Sequence, residues 1–483
     1  MALNDEIMRA LNDPETVPMS LAQIVTEEVR EFRKSEQHRL MIEAERYYRN
    51  RSDVQNKTVD LSNRSNTKIE HPILKKLVDQ KGNYLLGKPF SVVTDSEEYG
   101  TALNDIFDNT FRKKIKSLGI GAVKSGIAFI QPYFDDGGIK FMRMPSTEII
   151  PLWKDAEHSE LDAFIRVYEQ IVYVGTKKTT VEHAEFWFPG GVKYFTRDGK
   201  GSDFVIDKEH GTEANDWTEA HFTIGTTPYN FEKPPIAYLK YNDEELPLCY
   251  FIKDLIDDVN WQKSTTADVL RDVAKFIYVL KNYGGADLNE FVKELRESLA
   301  IKVDADGGVD KLAADLNIDA VMAHLEDNRR NLYDYGNAVD TKDPDLGNAS
   351  GTAINFRYMD LDADCAALGA ELQDTFQQLK VFIDVYLQAA GKGDFTGTDF
   401  SIAFNSDMPV NEAEIITSIM ASRGLVSDRT LLAQHPYVDD VDEELKQIKK
   451  EKTEALAEFG TGLFDTTMGG NAPQNGGAVN GEE

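Results

Sequence analysis

One long amphipathic segment, residues 355–389, constrains the fold of this chain more than any other. Its apolar residues recur at steps of three and four, so they form a single stripe along a helix. The stripe comprises Ile354, Tyr358, Leu361, Cys365, Leu368, Leu372, Phe376, Leu379, Ile383 and Tyr386. A helix of this length spans roughly 50 Å. That is long for a compact domain, so the segment is either the core helix of a large domain or part of an assembly.

Charge limits the classes of partner. The chain has 483 residues and a net charge of -30, from 53 Lys and Arg against 83 Asp and Glu. A chain with this charge repels phosphate on average, which argues against a conventional nucleic-acid binder. An acidic surface can still serve as a wall to which DNA does not adhere. With 41% hydrophobic residues, the chain can build a large core and two to four domains.

Cysteines and the N-terminus bear on the compartment. Cys249 and Cys365 each lie in an apolar helical pattern, which predicts reduced core or interface residues in a cytosolic-type compartment. The first residues lack the apolar stretch of a signal peptide. No apolar run approaches 18 residues, so we expect no membrane span.

The first half of the chain changes from helical to β character. Residues 1–50 are predicted to be helical with Ser20 as an N-cap, and 51–65 to be an exposed loop. A helix over 68–87 should end at Lys88-Pro89, followed by a short strand and two helices over about 98–125. Alternating and aromatic-rich runs between 126 and 242 then predict a meandering antiparallel sheet, so the fold class is α+β.

Two long helices enclose a small insertion in the second half. The first, over 247–275, has one apolar side marked by Leu248, Ile252, Leu255, Val259, Thr266, Leu270 and Val273. Another side of this helix carries Asp254, Asp257 and Asp258. These carboxylates form either a solvated face or a face with a function. Residues 276–316 predict a small αβ insertion, and 318–336 a second helix whose Arg329 and Arg330 pair with acids. The two long helices form a hairpin, and one chain has too little further polypeptide to cover its apolar stripes. This favours an assembly in which copies of the hairpin pack against each other in a closed ring.

The remaining segments add a strand, a helical region and a tail. Residues from Phe400 predict a strand that returns to a sheet, and 411–455 predict helices, one of them capped by Ser427. Residues 456–483 are rich in Gly, Asn and Thr without periodicity, so we expect disorder.

Several short motifs resemble catalytic or ligand-binding motifs, but the residues around them do not fit such sites. Gly82 to Lys88 matches G-x-x-x-x-G-K, but a helix precedes it, bulky residues fill it and Pro89 replaces the hydroxyl residue. Gly119-Ile-Gly121 is explained by helix packing, and Asp304-Ala-Asp306 by a turn. His183 and Glu185 lack zinc-helix spacing and are expected on the surface. We predict no catalytic, cofactor or metal site and no enzyme; the alternative is a nucleotide-dependent enzyme that uses Lys88.

Several segments together resemble one family, the portal proteins of tailed double-stranded DNA bacteriophages, in the long-tailed branch typical of Gram-positive hosts. The resemblance covers about 40–455. The segments are RYYRNRSDVQNK, HPILKKLVDQKGNYLLGKPF, MPSTEIIPLW, FIYVLKNYGG, NASGTAINFRYMDLDADC and FNSDMPVNEAEII. A different head–tail connector or minor capsid protein is a further alternative, although those chains are usually shorter and lack the double long helix.

The resemblance implies a domain plan with a mixed α+β wing, a long-helix stem, a small αβ clip and a helical crown. Its parts are an N-terminal helical segment (1–44), wing (45–245), first stem helix (246–275), clip (276–317), second stem helix (318–339), tunnel loop (340–350), wing long helix and return strand (351–410), crown (411–455) and disordered tail (456–483).

The resemblance also implies a function and partners. Such proteins form rings, of twelve subunits in the virion, at one capsid vertex, where DNA is packaged and later ejected. The implied partners are further copies of the chain, double-stranded DNA, terminase, head–tail adaptor proteins and capsid or scaffold proteins, in the host cytoplasm during assembly and then in the virion, without a membrane. The residues expected nearest DNA are the tunnel-loop residues Lys342, Asp343, Asp345, Gly347, Asn348 and Ser350, with Asp254, Asp257 and Asp258 as channel-facing stem candidates.

Overall fold

A computed structural model gives the structure of the chain. It describes residues 19–58, 65–135, 138–174, 176–199, 201–210, 218–224, 226–273, 277–281, 287, 289, 293, 308–312, 317–343, 351–405, 412–438 and 441–462. These residues form two compact units, one within 1–347 and 356–407 and the other within 348–355 and 408–483.

Most strands lie in one run in the middle of the chain, and the helices lie mainly before and after it, as is typical of an α+β protein. The α-helices are α1 (Leu21–Lys34), α2 (Glu36–Tyr48), α3 (Ile73–Leu86), α4 (Glu97–Ile106), α5 (Asn109–Ser125), α6 (Leu248–Val273), α7 (Ile318–Tyr335), α8 (Gly351–Ala389), α9 (Glu412–Ala421), α10 (Asp428–Ala433) and α11 (Val441–Gly462). The strands are β1 (Ser91–Thr94), β2 (Ile127–Asp135), β3 (Gly138–Met144), β4 (Ile149–Trp153), β5 (Leu161–Val174), β6 (Lys177–Phe188), β7 (Gly191–Asp198), β8 (Val205–Ile206), β9 (Phe222–Ile224), β10 (Thr227–Tyr229), β11 (Ala237–Lys240), β12 (Ile277–Lys281), β13 (Gly308–Leu312) and β14 (Phe400–Ala403).

The predicted meandering sheet is present as five antiparallel strands in the order β4-β5-β6-β7-β8. Helix α1 covers it and begins at Ser20, whose side chain and backbone form a capping box with Gln23. Leu21, Val25 and Val29 of this helix pack on the buried face of the sheet. The N-terminal segment therefore contributes to the core of the region predicted as wing.

Smaller sheets complete the β region. Strands β11, β2 and β3 form a separate antiparallel sheet, in which Asp135 at the end of β2 pairs with Gly138 at the start of β3. The strand predicted from Phe400 pairs with β1, the strand that follows Pro89. Strands β9 and β10 form a short hairpin that the sequence did not predict. Of the predicted insertion, the described residues show β12 paired with β13.

Helix α8 spans 39 residues and confirms the predicted stripe. The stripe is buried from Tyr358 to Ile383 within one copy of the chain. Phe376 lies at its centre, with its ring edge-on to those of Phe90 and Phe107 at 5.2 and 5.4 Å. Since the stripe is already covered, only the opposite face, with Phe356 and Met359 exposed, remains for other contacts.

Helix α6 departs from its predicted stripe. Leu270 is 57% exposed, whereas polar residues at four-residue spacing are buried on the far half of the helix. These polar side chains accept hydrogen bonds from every second backbone N–H group of the extended segment before α3. Two residues of an extended chain span about 6.6 Å, which is close to the rise of one helical turn. The bonds run from Thr67 to Asp268 (2.7 Å), Ile69 to Ser264 (2.9 Å) and His71 to Asn260 (3.0 Å).

The loop predicted as exposed over 51–65 is also partly buried. Ser52, Val54 and Lys57 are enclosed, and the Lys57 ammonium lies 2.6 Å from Asp268 Oδ2. The polar residues of this segment, which predicted an exposed loop, instead form an internal polar contact with α6.

The second unit contains α9, α10 and α11, with Ser427 capping α10 as predicted. Helix α11 continues to Gly462, so it extends into the segment predicted as disordered from 456. The remainder of that segment, like 1–18, lies outside the described residues. In the part of the chain that the structure describes, no helix combines the length and apolarity needed to cross a lipid bilayer.

Candidate functional site

The loop between α7 and α8 begins at a tightly built helix end. Asn337 adopts a left-handed conformation (φ 44°), and the N–H of Ala338 donates to the carbonyl of Tyr333 at 2.9 Å. At Gly336, a Cβ would lie 2.6 Å from the Leu332 carbonyl oxygen, so this position at the end of α7 requires glycine. The chain therefore leaves α7 in one fixed direction.

Two consecutive residues of α3 hold the start of this loop. The Gln80 side-chain amide donates to the Val339 carbonyl at 2.9 Å and accepts from the Val339 N–H at 3.2 Å. The Lys81 ammonium donates to the Asn337 carbonyl at 2.9 Å. Val339 is itself buried. The loop root is thus fixed through backbone groups, independently of the loop's side chains.

The Lys81 ammonium also anchors a buried polar cluster. It lies 2.7 Å from Asp364 Oδ2 on α8, and the Lys81 side chain is 0% exposed. Tyr241 donates to the same carboxylate at 3.1 Å. Burial, reinforced by the Asp364 charge, raises the pKa of Tyr241, so the phenol keeps its proton and remains a donor. The cluster joins α3, α8 and the loop root.

The described part of the loop predicted as the tunnel loop is tied to both flanking helices. Asp340 lies 2.5 Å from Arg329 of α7, and its side chain accepts the Lys342 N–H at 3.0 Å. Asp343 pairs with Arg357 of α8. Lys342 is exposed. Asp345, Gly347, Asn348 and Ser350 lie outside the described residues.

The three carboxylates of α6 that were predicted to face a channel lie in three different surroundings. Asp254 is exposed. Asp257 accepts the Tyr47 hydroxyl at 2.6 Å and lies 2.9 Å from the Lys253 ammonium, so it faces α2. Asp258 faces α7, where His324 Nε2 lies at 2.7 Å and the Asn328 amide donates at 2.5 Å. Sequence spacing could not separate them, because their partners come from distant segments.

The two arginines of α7, Arg329 and Arg330, pair with acids, as predicted. Arg329 contacts Glu326 at 3.6 Å in addition to Asp340, and Arg330 lies 3.9 Å from Glu326. The Asp340 contact was not predicted, since that residue belongs to the loop. Arg329 therefore links the second long helix to the loop that follows it.

Segments weighed for other chemistry have structural roles. Residues Gly82 to Leu86 form the last turns of α3, so the G-x-x-x-x-G-K match is helical and offers no phosphate-binding loop. A Cβ at Gly119 would lie 2.8 Å from Leu86, which confirms the helix-packing explanation. Asp304 and Asp306 lie outside the described residues.

The prediction that His183 and Glu185 lie on the surface is wrong, whereas the prediction of buried, reduced cysteines is confirmed. Glu185 is buried and His183 half-buried, with its Nδ1 3.6 Å from Asp207, rather than both being on the surface. Cys249 and Cys365 are free and buried, and burial raises the pKa of each thiol to about 12. Within the described ranges, no three His, Cys, Asp or Glu side chains gather as a metal ion would need.

Gln80 and Lys81 are the site residues that sequence reasoning missed. One signal was present, because Lys81 follows Leu77 by four residues and Val78 by three. This spacing places a lysine on the apolar face of a helix, where it needs a partner. The partner could not be inferred, since Asp364 lies far along the chain.

Comparisons with known proteins match nearly the whole chain. A family model described as "Phage portal protein, SPP1 Gp6-like" matches residues 32–457. The portal protein of Bacillus phage SPP1 is 30% identical over 449 residues, which cover 89% of this chain and 86% of that protein. The portal protein of Clostridium phage phiCD119 is 26% identical over 438 residues, which cover 85% of this chain and 92% of that protein.

Proposed function

Since the chain belongs to the SPP1 Gp6-like family of phage portal proteins, we propose that its copies form a ring-shaped channel at one capsid vertex. Double-stranded DNA passes through this channel during packaging and again during ejection. The ring contains twelve subunits in the virion. It is assembled in the host cytoplasm and then remains in the virion.

The observation that carries this proposal is the apolar surface left open on the two long helices. Large apolar side chains on α6 and α7 are about half exposed in a single copy, and apolar surface concentrated on one pair of helices is typical of a surface that packs against a partner. They are Tyr250, Phe251, Trp261 and Leu270 on α6, and Ile318, Met322 and Tyr335 on α7. Packing between neighbouring copies around an axis would cover them.

The parts of the chain then take the roles of the family plan. We assign the wing to 45–245 with 351–410, the stem to 246–275 and 318–339, the clip to 276–317 and the crown to 411–455. The pairing of β12 with β13 between the stem helices supports the clip assignment. The clip is the contact for terminase during packaging and later for head–tail adaptor proteins, and the outer wing contacts capsid or scaffold proteins.

The DNA path is formed by acidic surface and the tunnel loop. A ring of chains with net charge -30 gives phosphates few attractive contacts, so DNA slides. Asp254 is the stem carboxylate best placed to face the channel, because Asp257 and Asp258 are engaged by the same copy. The loop 340–350, which also contains Asp343, Asp345, Gly347 and Ser350, contacts DNA through Lys342 and Asn348.

The direct test is packaging in the phage that encodes the chain. Proheads assembled with the chain should protect viral DNA from nuclease, and proheads assembled without it should protect none. A variant with alanine at exposed Lys208 serves as the control for expression and incorporation. Equal amounts of protected DNA with and without the chain would overturn the proposal.

We assign no enzymatic activity to the channel, and terminase supplies the energy. The helical state of the G-x-x-x-x-G-K match supports this assignment. Purified chain should hydrolyse ATP no faster than its Lys88→Ala variant. Hydrolysis that Lys88→Ala abolishes would instead favour a nucleotide-dependent enzyme.

A further inference from the structure

Strands β5 and β6 extend beyond their sheet as a two-stranded arm, residues 170–174 and 177–180. β4 pairs with β5 only up to Arg166, and β7 pairs with β6 only from Val181 onward. Within the arm, Ile171 pairs with Thr180 and Tyr173 with Lys178. Among the described strands, no third strand joins this ribbon, so both of its edges are open.

The surface of the arm is apolar and cationic. Tyr173 is 74% exposed and Ile171 is 55% exposed. Lys177 and Lys178 are exposed beside them, and in the described structure neither forms an ion pair. An isolated two-stranded ribbon is marginally stable in water, and open strand edges invite a partner. The arm therefore has the chemistry of an element that docks on an acidic surface with apolar patches.

A hollow of that chemistry lies elsewhere on the same unit. It has a volume of about 770 Å³, and its apolar lining includes Tyr250, which is 52% exposed. Four exposed carboxylates form its rim: Glu36, Glu157, Asp243 and Glu244. At its base the buried Glu245 is already paired, with Gln37 at 2.6 Å and His158 at 2.7 Å. Glu36 is also paired within the same copy, with Arg39 at 3.2 Å. Glu157, Asp243 and Glu244 are thus the exposed carboxylates open to a cationic partner.

The two features lie at opposite ends of one strand. Glu157 and His158 of the hollow shortly precede Leu161, where β5 begins, and the arm is where β5 ends. A strand of 14 residues spans about 46 Å, so the arm of one copy is kept away from its own hollow. Two different, complementary patches on one chain are what a head-to-tail contact between copies requires, and such contacts generate rings.

We propose that the β5–β6 arm of each copy docks in the acidic hollow of the next copy, with Lys177 and Lys178 against its rim carboxylates. Tyr173 packs on the apolar lining that includes Tyr250. This inference rests on the proposed ring and names a contact that closes it. The partner is a second copy because the chain carries both halves of the contact and is otherwise strongly acidic.

Charge reversal tests the contact. Lys177→Glu with Lys178→Glu, or Glu157→Lys with Glu244→Lys, should each convert rings to subunits at a concentration where the unaltered chain is fully assembled. Because the contact is head-to-tail, mixing the two variants should restore rings with alternating copies, and all four substitutions in one chain should restore them as well. Native mass spectrometry measures the assembly, and melting temperature confirms folding.

A control and a second measurement separate the outcomes. Lys208→Glu with Lys392→Glu changes the net charge by the same amount as the lysine reversal, at other exposed lysines, and should leave rings intact. Lys178→Cys with Glu244→Cys should give an oxidation-dependent ladder of linked copies that neither substitution gives alone. Rings that survive either reversal, or no restoration on mixing, would overturn the docking contact alone. Failure of the unaltered chain to form rings would overturn the proposed function.

Discussion

Among single residues, Lys81 has the most demanding environment. Its ammonium is fully enclosed and bridges the loop-root carbonyl of Asn337 and the Asp364 carboxylate. A buried charge of this kind is stable only while its partners remain, since the unpaired ion would carry the full desolvation cost. The position of the loop root and the pairing of the Asp364 carboxylate therefore depend on the same ammonium.

Lys81→Met should destabilise the chain by about 3–5 kcal/mol, because it leaves the Asp364 carboxylate without its cation. Urea denaturation followed by tryptophan fluorescence measures the change. Adding Asp364→Leu to Lys81→Met should recover a large part of the loss, since no lone charge then remains. Lys113→Met, at an exposed position, is the matched control. A single variant as stable as this control would contradict the role given to Lys81.

Asp268 gives the chain a pH-dependent contact. Burial alone would raise the pKa of this carboxyl, but hydrogen bonds from Lys57 and Thr67 outweigh burial and hold the pKa below its usual range. A carboxyl whose pKa is lower in the folded than in the unfolded state stabilises the fold. This stabilisation is complete at pH values above the unfolded-state pKa of about 3.9, and it is lost as the pH falls through the folded-state pKa.

The melting temperature of the unaltered chain should therefore exceed that of Asp268→Asn by a constant margin between about pH 5 and 7. Below about pH 4 the margin should narrow. Differential scanning calorimetry across this range measures it, with Asp254→Asn as an exposed control. A margin that stays constant down to pH 3 would show that Asp268 is not held ionised by Lys57.

At the scale of elements, α6 and α7 combine an internal face with an open one. Their internal faces contact each other and the extended segment before α3, while Trp261 and Met322 remain open. Apolar side chains leaving water contribute about 1.5–3 kcal/mol each when fully buried. The open face can therefore supply much of the association free energy of a ring.

Ile318→Lys with Met322→Lys should weaken association between copies at least tenfold while leaving each copy folded. Sedimentation velocity across a concentration series measures the assembly, and circular dichroism measures the helix content. Asp327→Lys, also exposed on α7, is the control for added positive charge. Unchanged association of the double variant would show that this face does not lie between copies.

The tunnel loop is an element whose root is fixed and whose side chains are proposed to meet DNA. Lys342→Ala with Asn348→Ala should reduce packaged or retained DNA several-fold, because two polar contacts to phosphate are removed. The root is held through backbone groups, so melting temperature should not change. Nuclease-protected DNA per prohead provides the measurement. If both packaging and retention match the unaltered chain, these two residues do not contact DNA.

Sequence pattern predicted elements well where one repeating face packs against a core. The stripe of α8 from Tyr358 to Ile383 is an example, because its burial is continuous. The pattern failed on the far half of α6, where buried Ser264 and Asp268 replace the expected Leu270. Polar burial of this kind depends on a distant segment, Thr67 to His71, that supplies backbone donors. The fixed loop root was missed for the same reason, since Gln80 and Lys81 act on residues far along the chain.

At the scale of the whole molecule, charge and apolar surface point to the same assembly. The net charge of -30 opposes association of copies, so a stable ring needs local contacts that overcome repulsion. The open faces of α6 and α7 supply apolar contacts, and the arm with the acidic hollow supplies a charged one. Added salt should therefore weaken the charged contact of the arm with the acidic hollow, whereas the apolar contact between the open faces of α6 and α7 should not be weakened.

Cryo-electron microscopy of the purified full-length chain tests the central claim most directly. We predict closed rings with a central channel, in which α6 and α7 of neighbouring copies cover Trp261 and Met322 and the loop 340–350 points toward the channel. Compact particles containing a single chain, without a central hole and with these side chains exposed to solvent, would contradict the account.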